Sequence, residues 1–430
     1  MNRAKATKYI AIKLACIEFI NKHKYKSQDF TRSRILTFSI LFITILRNSV
    51  KSLSIVMNEL FMDGYIEVPV TASAYTQARK KLKHTAFKEL NEGLVEMQYE
   101  DPSSLKTWKS FRLLAVDCCK LILPNTKPIA KEFGTIIIKT NNYTSEYACA
   151  AFECCYDVLN NLSISGLLTN GNIYEPELAA NLLDQVKKTD VLIYDRGYCS
   201  FKFPATLIHK GLNFIIRCNS NSFKAFEPFF NGELTDEIVT LDIPLKRYKE
   251  IMELDLPLSI TVRIVAVKLV TGEIEVLMTS LMDKNITPAD FRTLYGLRWS
   301  IETFFYILKG RLALENFTGL TVESIKQDFW STILISNYET IVTYDLNKNL
   351  AQVGPTPRKI NKAVSFNIIK NQAFEILFNN KLDPEEQLNK LEKIFTAAAI
   401  PDRDDRYSKR KPPSITRSCN YLRRKKKQVY

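Results

Sequence analysis

Three acidic residues in this 430-residue chain stand out by their positions. Asp117 ends the apolar run Leu113-Leu114-Ala115-Val116, and Asp195 ends Val191-Leu192-Ile193-Tyr194. A carboxylate closing an apolar strand is held at a sheet's edge. Two of them on neighbouring strands offer hard oxygen ligands to divalent cations. Two such ions about 4 Å apart can activate a nucleophile and stabilise the leaving oxygen of a phosphodiester. Strand-end aspartates also cap turns, so neither position decides the chemistry alone. The third acid, Glu302, lies in a helical pattern from Ala289 to Leu314 with Tyr295, Arg298 and Lys309. At about 100° per residue the four fall within about 60° on one helix face. Leu294, Ile301, Phe305, Leu308 and Leu312 form a separate apolar stripe, the expected buried side. An i, i+4 Arg298–Glu302 pair on a solvated helix, worth about 0.3–0.5 kcal/mol, accounts for two of the four residues. It leaves Tyr295 and Lys309 unexplained.

The elements that must position these acids follow from the surrounding pattern. Phe111 to Leu123, Thr135 to Lys139, Glu146 to Tyr156 and Val158 to Leu168 read as closely spaced antiparallel strands. An amphipathic helix, Glu177 to Lys187, precedes the strand Val191 to Tyr194. A short helix, Phe203 to Lys210, and a strand, Asn213 to Cys218, come next. This order predicts an α/β fold with a mixed sheet, laid out as in a ribonuclease H-like catalytic domain. Residues 219–286 lack helical periodicity. Ile260 to Val270 and Glu273 to Leu281 flank the hairpin turn Thr271-Gly272, predicting a β-rich insertion. Pro288 suits the first turn of a long helix. Helices continue to about Asn349, and Lys359 to Phe395 is also helical.

The chain before residue 105 reads as helical. A helix after Val68-Pro69-Val70 can be capped by Thr71 or Ser73, with Ala74, Ala78 and Leu82 on one face. Its cations Arg79, Lys80, Lys81 and Lys83 either enter a DNA groove or form a solvated basic face. The expected organisation is therefore a helical N-terminal DNA-binding region over 1–105 and a catalytic domain over 106–218 and 287–350. The insertion spans 219–286. A helical C-terminal region over 351–430 ends in the basic tail Arg423-Arg424-Lys425-Lys426-Lys427, either solvated or in contact with a partner.

Composition narrows the class of partner. The hydrophobic fraction of 46% and charged fraction of 25% are those of a globular protein, while 60 Lys and Arg against 46 Asp and Glu leave +14. An excess of that size favours a polyanion, nucleic acid or an anionic membrane. The longest apolar run, Ile35 to Leu46, would reach about 18 Å as a helix, short of a bilayer core of about 30 Å. Neither a membrane partner nor a signal peptide is expected. The nine cysteines form no C-x-x-C and there are three histidines, so reduced, buried thiols in a cytoplasm are expected rather than zinc.

The motifs carry a resemblance. Tyr295-x2-Arg298-x3-Glu302-x6-Lys309 resembles the Y-x2-R-x3-E-x6-K signature of one branch of bacterial insertion-sequence DDE transposases. Asp117 with the following Leu123-Pro124 is similar to the family's first aspartate segment, and Asp195-Arg196-Gly197-Tyr198 to its D-x-G-[FY]. Ser73-Ala74-x2-Gln77-Ala78-Arg79-Lys80-Lys81-Leu82 is similar to its S-A-x2-Q-A-R-x-K-L. One departure is Cys118, where the family usually has Gly or Ser. The resemblance implies that Asp117, Asp195 and Glu302 bind two Mg²⁺ or Mn²⁺. It implies that Arg298 and Lys309 hold DNA phosphates and that Tyr295 meets a terminal phosphate or base. Trp299 stacks on an unpaired base or is a core tryptophan. The implied activity is cut-and-paste transposition on double-stranded DNA, at the element's terminal inverted repeats and a target. A bacterial, cytoplasmic protein associated with the nucleoid is expected. One acidic triad per chain and two ends per element predict a homodimer in the synaptic complex. The alternatives are a catalytically silent DNA-binding descendant and a ribonuclease H-like nuclease.

Overall fold

The computed structural model describes residues 3–32, 34–100, 105–139, 144–352, 356–378 and 383–402. The basic tail and Cys419 lie outside the described residues. The chain forms two compact units, one of residues 1–104, 121–150 and 306–430, the other of 105–120 and 151–305. Its main strands are β1 (Arg112–Ile122), β2 (Thr135–Lys139), β3 (Thr144–Asp157), β4 (Leu162–Asn170) and β5 (Asp190–Tyr194). They continue with β6 (Asn213–Arg217), β7 (Asp236–Asp242), β8 (Ser259–Lys268) and β9 (Ile274–Thr279).

The second unit is built on a mixed sheet. β5 is apolar from Val191 to Tyr194 and buried on both faces, as a central parallel strand must be, and its first residue, Asp190, is paired with Arg112. It lies between β1 and β6, parallel to both, and β4 pairs with β3 on the far side of β1. The order β4–β3–β1–β5–β6 makes the mixed sheet of an α/β fold that the sequence predicts. Antiparallel β9, β8 and β7 extend the sheet beyond β6. The β8–β9 hairpin turns where expected, with Gly272 at φ +88°. β7 has no alternating apolar signal because only Leu241 is buried on this edge strand. The same stretch also holds short helices at Glu227–Phe230 and Tyr248–Glu253.

Two helices differ from the expectation. The pattern over Glu177–Lys187 forms only Glu175–Ala180 and a 3₁₀ turn, Leu183–Gln185. The Lys187 N–H donates to the Asp190 carboxylate instead of continuing the helix. The single helix expected over Ala289–Leu314 is two, Pro288–Gly296 and Trp299–Gly310. Between them Arg298, Ser300 and Ile301 donate to carbonyls three residues back, a 3₁₀ tightening that interrupts the α-helix after Gly296.

The entry to this helix pair is anchored firmly. Thr287 and Asp290 form a reciprocal capping box with Pro288 in the first turn. Arg263 on β8, 0% exposed, donates to both Asp236 oxygens at 2.7 and 2.6 Å and to the carbonyls of Asp283 and Ile286. Its guanidinium also lies over the Phe291 ring.

The first unit is largely helical. Helix Val322–Gln352 is buried over most of its length and packs on Thr85–Tyr99 and Phe38–Arg47. Phe42 stacks on Phe87 at 4.1 Å, and Asn337 donates to Asn91. Thr71 caps Ala72–Arg79, which ends before Leu82. A helix not foreseen, Lys127–Phe133, separates β1 from β2. No helix among the described residues is long and apolar enough to cross a membrane.

Removing Asp236 would strand a buried guanidinium, a loss of about 3–5 kcal/mol. Asp236→Ala is expected to lower the unfolding free energy by about 3 kcal/mol in urea titration. Unchanged stability would mean that the remaining carbonyls satisfy Arg263.

Candidate active site

Asp117 lies within β1, and Asp195 immediately follows β5. The parallel register Ala115↔Ile193, carried two residues on, sets them opposite each other. Neighbouring strands are about 4.8 Å apart. Both side chains therefore leave the same face of the sheet, Asp117 from within β1 and Asp195 from the end of β5.

The helix pair brings its polar residues to that point. Tyr295, 3% exposed, donates through its hydroxyl to Asp195 Oδ1 at 3.1 Å. Arg298, also 3% exposed, donates to Asp117 Oδ2 at 3.4 Å and to Glu302 Oε1 at 2.6 Å. The solvated i, i+4 pair is thus replaced by a buried guanidinium joining two elements. Glu302 begins the second helix and is half-buried. Lys309 lies on the last turn of that helix, also half-buried. Trp299 is 43% exposed, not a core residue, and Arg298 lies over its ring at 5.2 Å.

The electrostatics record the crowding of carboxylates. Burial pushes Asp117 up to about 6 against the Arg298 guanidinium, and Glu302 and Asp195 add to the rise. Burial opposes the charge on Arg298, yet Tyr295, Glu302 and Asp195 together raise its pKa. Burial and Asp195 also raise Tyr295. Among the described residues no three His, Cys, Asp or Glu side chains stand within reach of one ion. Here Arg298 is the counter-ion. The donor set is nonetheless all carboxylate oxygen with repelling neighbours, which fits a hard divalent cation.

Sequence reading missed a fourth acid. Glu153 on β3 is 0% exposed and accepts from the Tyr198 hydroxyl at 3.0 Å. Burial pushes it up to about 8 against that hydrogen bond, with Asp117 and Glu175 adding to the rise. It sits in Phe152-Glu153-Cys154-Cys155, where a lone acid inside an apolar strand was the available signal.

The basic helix is partly reassigned. Arg79 is expected to face DNA, but its guanidinium is buried against Asp328 at 2.7 Å and also donates to Gln327 and Thr318. All its reach is used internally, so it is a structural ion pair. Lys80 and Lys81 instead line a groove of about 1040 Å³ with Lys26, Arg32 and Arg34.

Glu153 makes stability depend on pH. Below its ordinary value of 4.5 it is protonated both folded and unfolded. As pH rises towards 8 the unfolded chain ionises while the folded one stays neutral, so stability falls across this window. Glu153→Gln lacks that penalty. Its melting temperature relative to wild type should rise between about pH 5 and about pH 8, a change on the order of a few kcal/mol. A constant difference across that range would show that Glu153 is charged in the fold.

Residues 142–338 match the family model described as "Transposase DDE domain". The segment includes Asp195, Tyr295, Arg298, Glu302 and Lys309 and begins after Asp117. No curated protein matches the chain. Among solved structures, a piggyBac transposase synaptic complex with hairpin DNA is similar with a TM-score of 0.46. The two share 12% identity over 94% of this chain and 87% of that one.

Proposed function

We propose that this chain is a DNA transposase that cleaves the ends of an insertion sequence and joins them to target DNA. The observation that carries the reading is that Tyr295 and Arg298 bond the Asp195 and Asp117 carboxylates, which lie opposite each other on adjacent parallel strands, with Arg298 also bonding Glu302. The match to a transposase DDE domain supports DNA transposition as the setting.

The reaction is phosphoryl transfer. Water attacks the phosphorus at the element's end, the P–O3′ bond breaks, and a free 3′-hydroxyl remains. That hydroxyl then attacks a target phosphodiester and displaces the target's own 3′-oxygen. Bound divalent metal, Mg²⁺ or Mn²⁺ and two ions per site, would supply Lewis-acid activation of the entering and leaving oxygens. Asp117, Asp195 and Glu302 would hold it. Tyr295 keeps the Asp195 carboxylate turned by its hydrogen bond. Arg298 and Lys309 supply positive charge for the phosphates beside the cut. Trp299, exposed next to Glu302, offers a face on which an unpaired base stacks.

End recognition falls to the N-terminal region. Lys26, Arg32, Arg34 and Lys80 are exposed along one groove, Lys81 is half-buried there, and Asp29 is the groove's one acid. This replaces the role expected of Arg79. The working unit is a homodimer holding two ends, because each chain has one acidic triad and an element has two ends.

Cleavage of a duplex bearing the element's end should require Mg²⁺ or Mn²⁺. Asp117→Ala, Asp195→Ala or Glu302→Ala should each abolish it while end binding persists. A variant that still cuts removes its residue from the site. Replacing Lys26, Arg32, Arg34, Lys80 and Lys81 by Ala should flatten the salt dependence of end binding by about 0.9 per lost phosphate contact. An unchanged slope would return the groove to a solvated surface. Mixing that variant with Glu302→Ala should recover cleavage if the dimer acts in trans, and a mixed complex that stays inactive would argue for action in cis.

A further inference from the structure

We propose that Glu153 is a positioning residue, whose hydrogen bond with Tyr198 forms a strap beneath β1 that sets the spacing of Asp117 and Asp195. The inference rests on the proposed role of those two carboxylates. It concerns a residue outside the acidic triad and its signature.

The sheet order is β3–β1–β5. Glu153 belongs to β3, and Tyr198 follows β5 by four residues. A bond between their side chains therefore has to cross β1. It does so at 3.0 Å, with both residues 1% exposed or less. Successive side chains of a strand alternate faces, so Cys118 points away from the face that Asp117 occupies. The Cys118 thiol lies against the Glu153 carboxyl. The strap thus passes directly behind the strand position that holds the first aspartate. A small residue at 118 leaves it room.

At its other end the strap pulls on the second aspartate. The Tyr198 N–H donates to the Asp195 carbonyl, closing the 3₁₀ turn Arg196–Tyr198. The Tyr198 ring packs against both Tyr194 and Phe203, at 4.8 and 5.4 Å between centroids, in a three-ring cluster. Tyr198 cannot relax without carrying the turn, and Asp195 begins that turn. Tyr295 restrains Asp195 at its side chain, and Tyr198 restrains it at its backbone. The two restraints come from different elements. A displacement of about 1 Å between catalytic groups is enough to cost on the order of a hundredfold in rate.

Magnesium demands near-ideal octahedral geometry, so it should report a loosened pair. The test compares full-length Tyr198→Phe, Glu153→Ala and Glu153→Gln with wild type on the element-end duplex. Tyr198→Phe and Glu153→Ala should slow Mg²⁺-supported cleavage tenfold or more, recover much of it in Mn²⁺, and bind the end DNA normally. Glu153→Gln keeps an oxygen for the Tyr198 hydroxyl and should restore most of the Mg²⁺ rate lost in Glu153→Ala. Mn²⁺ affinity, followed by electron paramagnetic resonance on the DNA-bound protein, should weaken in Tyr198→Phe and Glu153→Ala and recover in Glu153→Gln. Equal slowing in both metals, unchanged Mn²⁺ affinity, or a Gln variant as slow as Ala would overturn the strap and leave a packing role. Wild type that binds Mn²⁺ but cuts no end DNA would count against the transposase reading, while the affinity series still decides the strap.

Discussion

A guanidinium that is 3% exposed donates at once to Asp117 and Glu302. Burial pushes the Asp117 carboxyl up to about 6, and the neighbouring carboxylates of Glu302 and Asp195 add to the rise. A cation between the sheet and the helix offsets the repulsion of these carboxylates. Arg298 supplies that cation from the turn where one helix ends and the next begins. A charge so far from solvent is tolerable only while its partners stay in place. The contact therefore joins sheet to helix only as long as both elements hold their positions.

The surrounding structure meets that condition from several directions. Parallel pairing of β1 and β5 places the two aspartates in register. Arg263 and the Thr287–Asp290 box hold the entry to the helix pair. The 3₁₀ turn at Leu297–Arg298 then directs Tyr295 at one aspartate and Arg298 at the other. Here Tyr295 lies at the end of one helix and Arg298 sits in the turn before the next.

Basic residues divide along the same physical line. Arg79 and Arg263 satisfy buried carboxylates and belong to the fold. Lys26, Arg32, Arg34 and Lys80 stay exposed and remain available to a polyanion. The net charge of +14 is the sum of both kinds.

Much of this was legible in the chain itself. Apolar runs ending in Asp117 and Asp195 announced strands, because a strand buried on both faces must be apolar throughout. The turn at Thr271-Gly272 announced its hairpin, because glycine adopts positive φ without penalty. The spacing of Tyr295, Arg298 and Glu302 marked residues that meet the aspartates, since local periodicity is a property of sequence. What periodicity cannot register is which surface a side chain meets. The helical pattern did not reveal its own break, since that lies in backbone hydrogen bonds that leave side-chain spacing intact. Arg79 looked solvated because its partner, Asp328, lies 249 residues away. β7 was invisible because an edge strand with one buried residue has no alternation to read. Glu153 stood among apolar neighbours with no partner in view. Only the sheet order, which sets β3 and β5 on either side of β1, brought the Tyr198 hydroxyl to it. Sequence by itself determined most of the elements and the residue types they could offer to a site. Tertiary structure decided which charges are buried against one another, because desolvation depends on what long-range packing brings near.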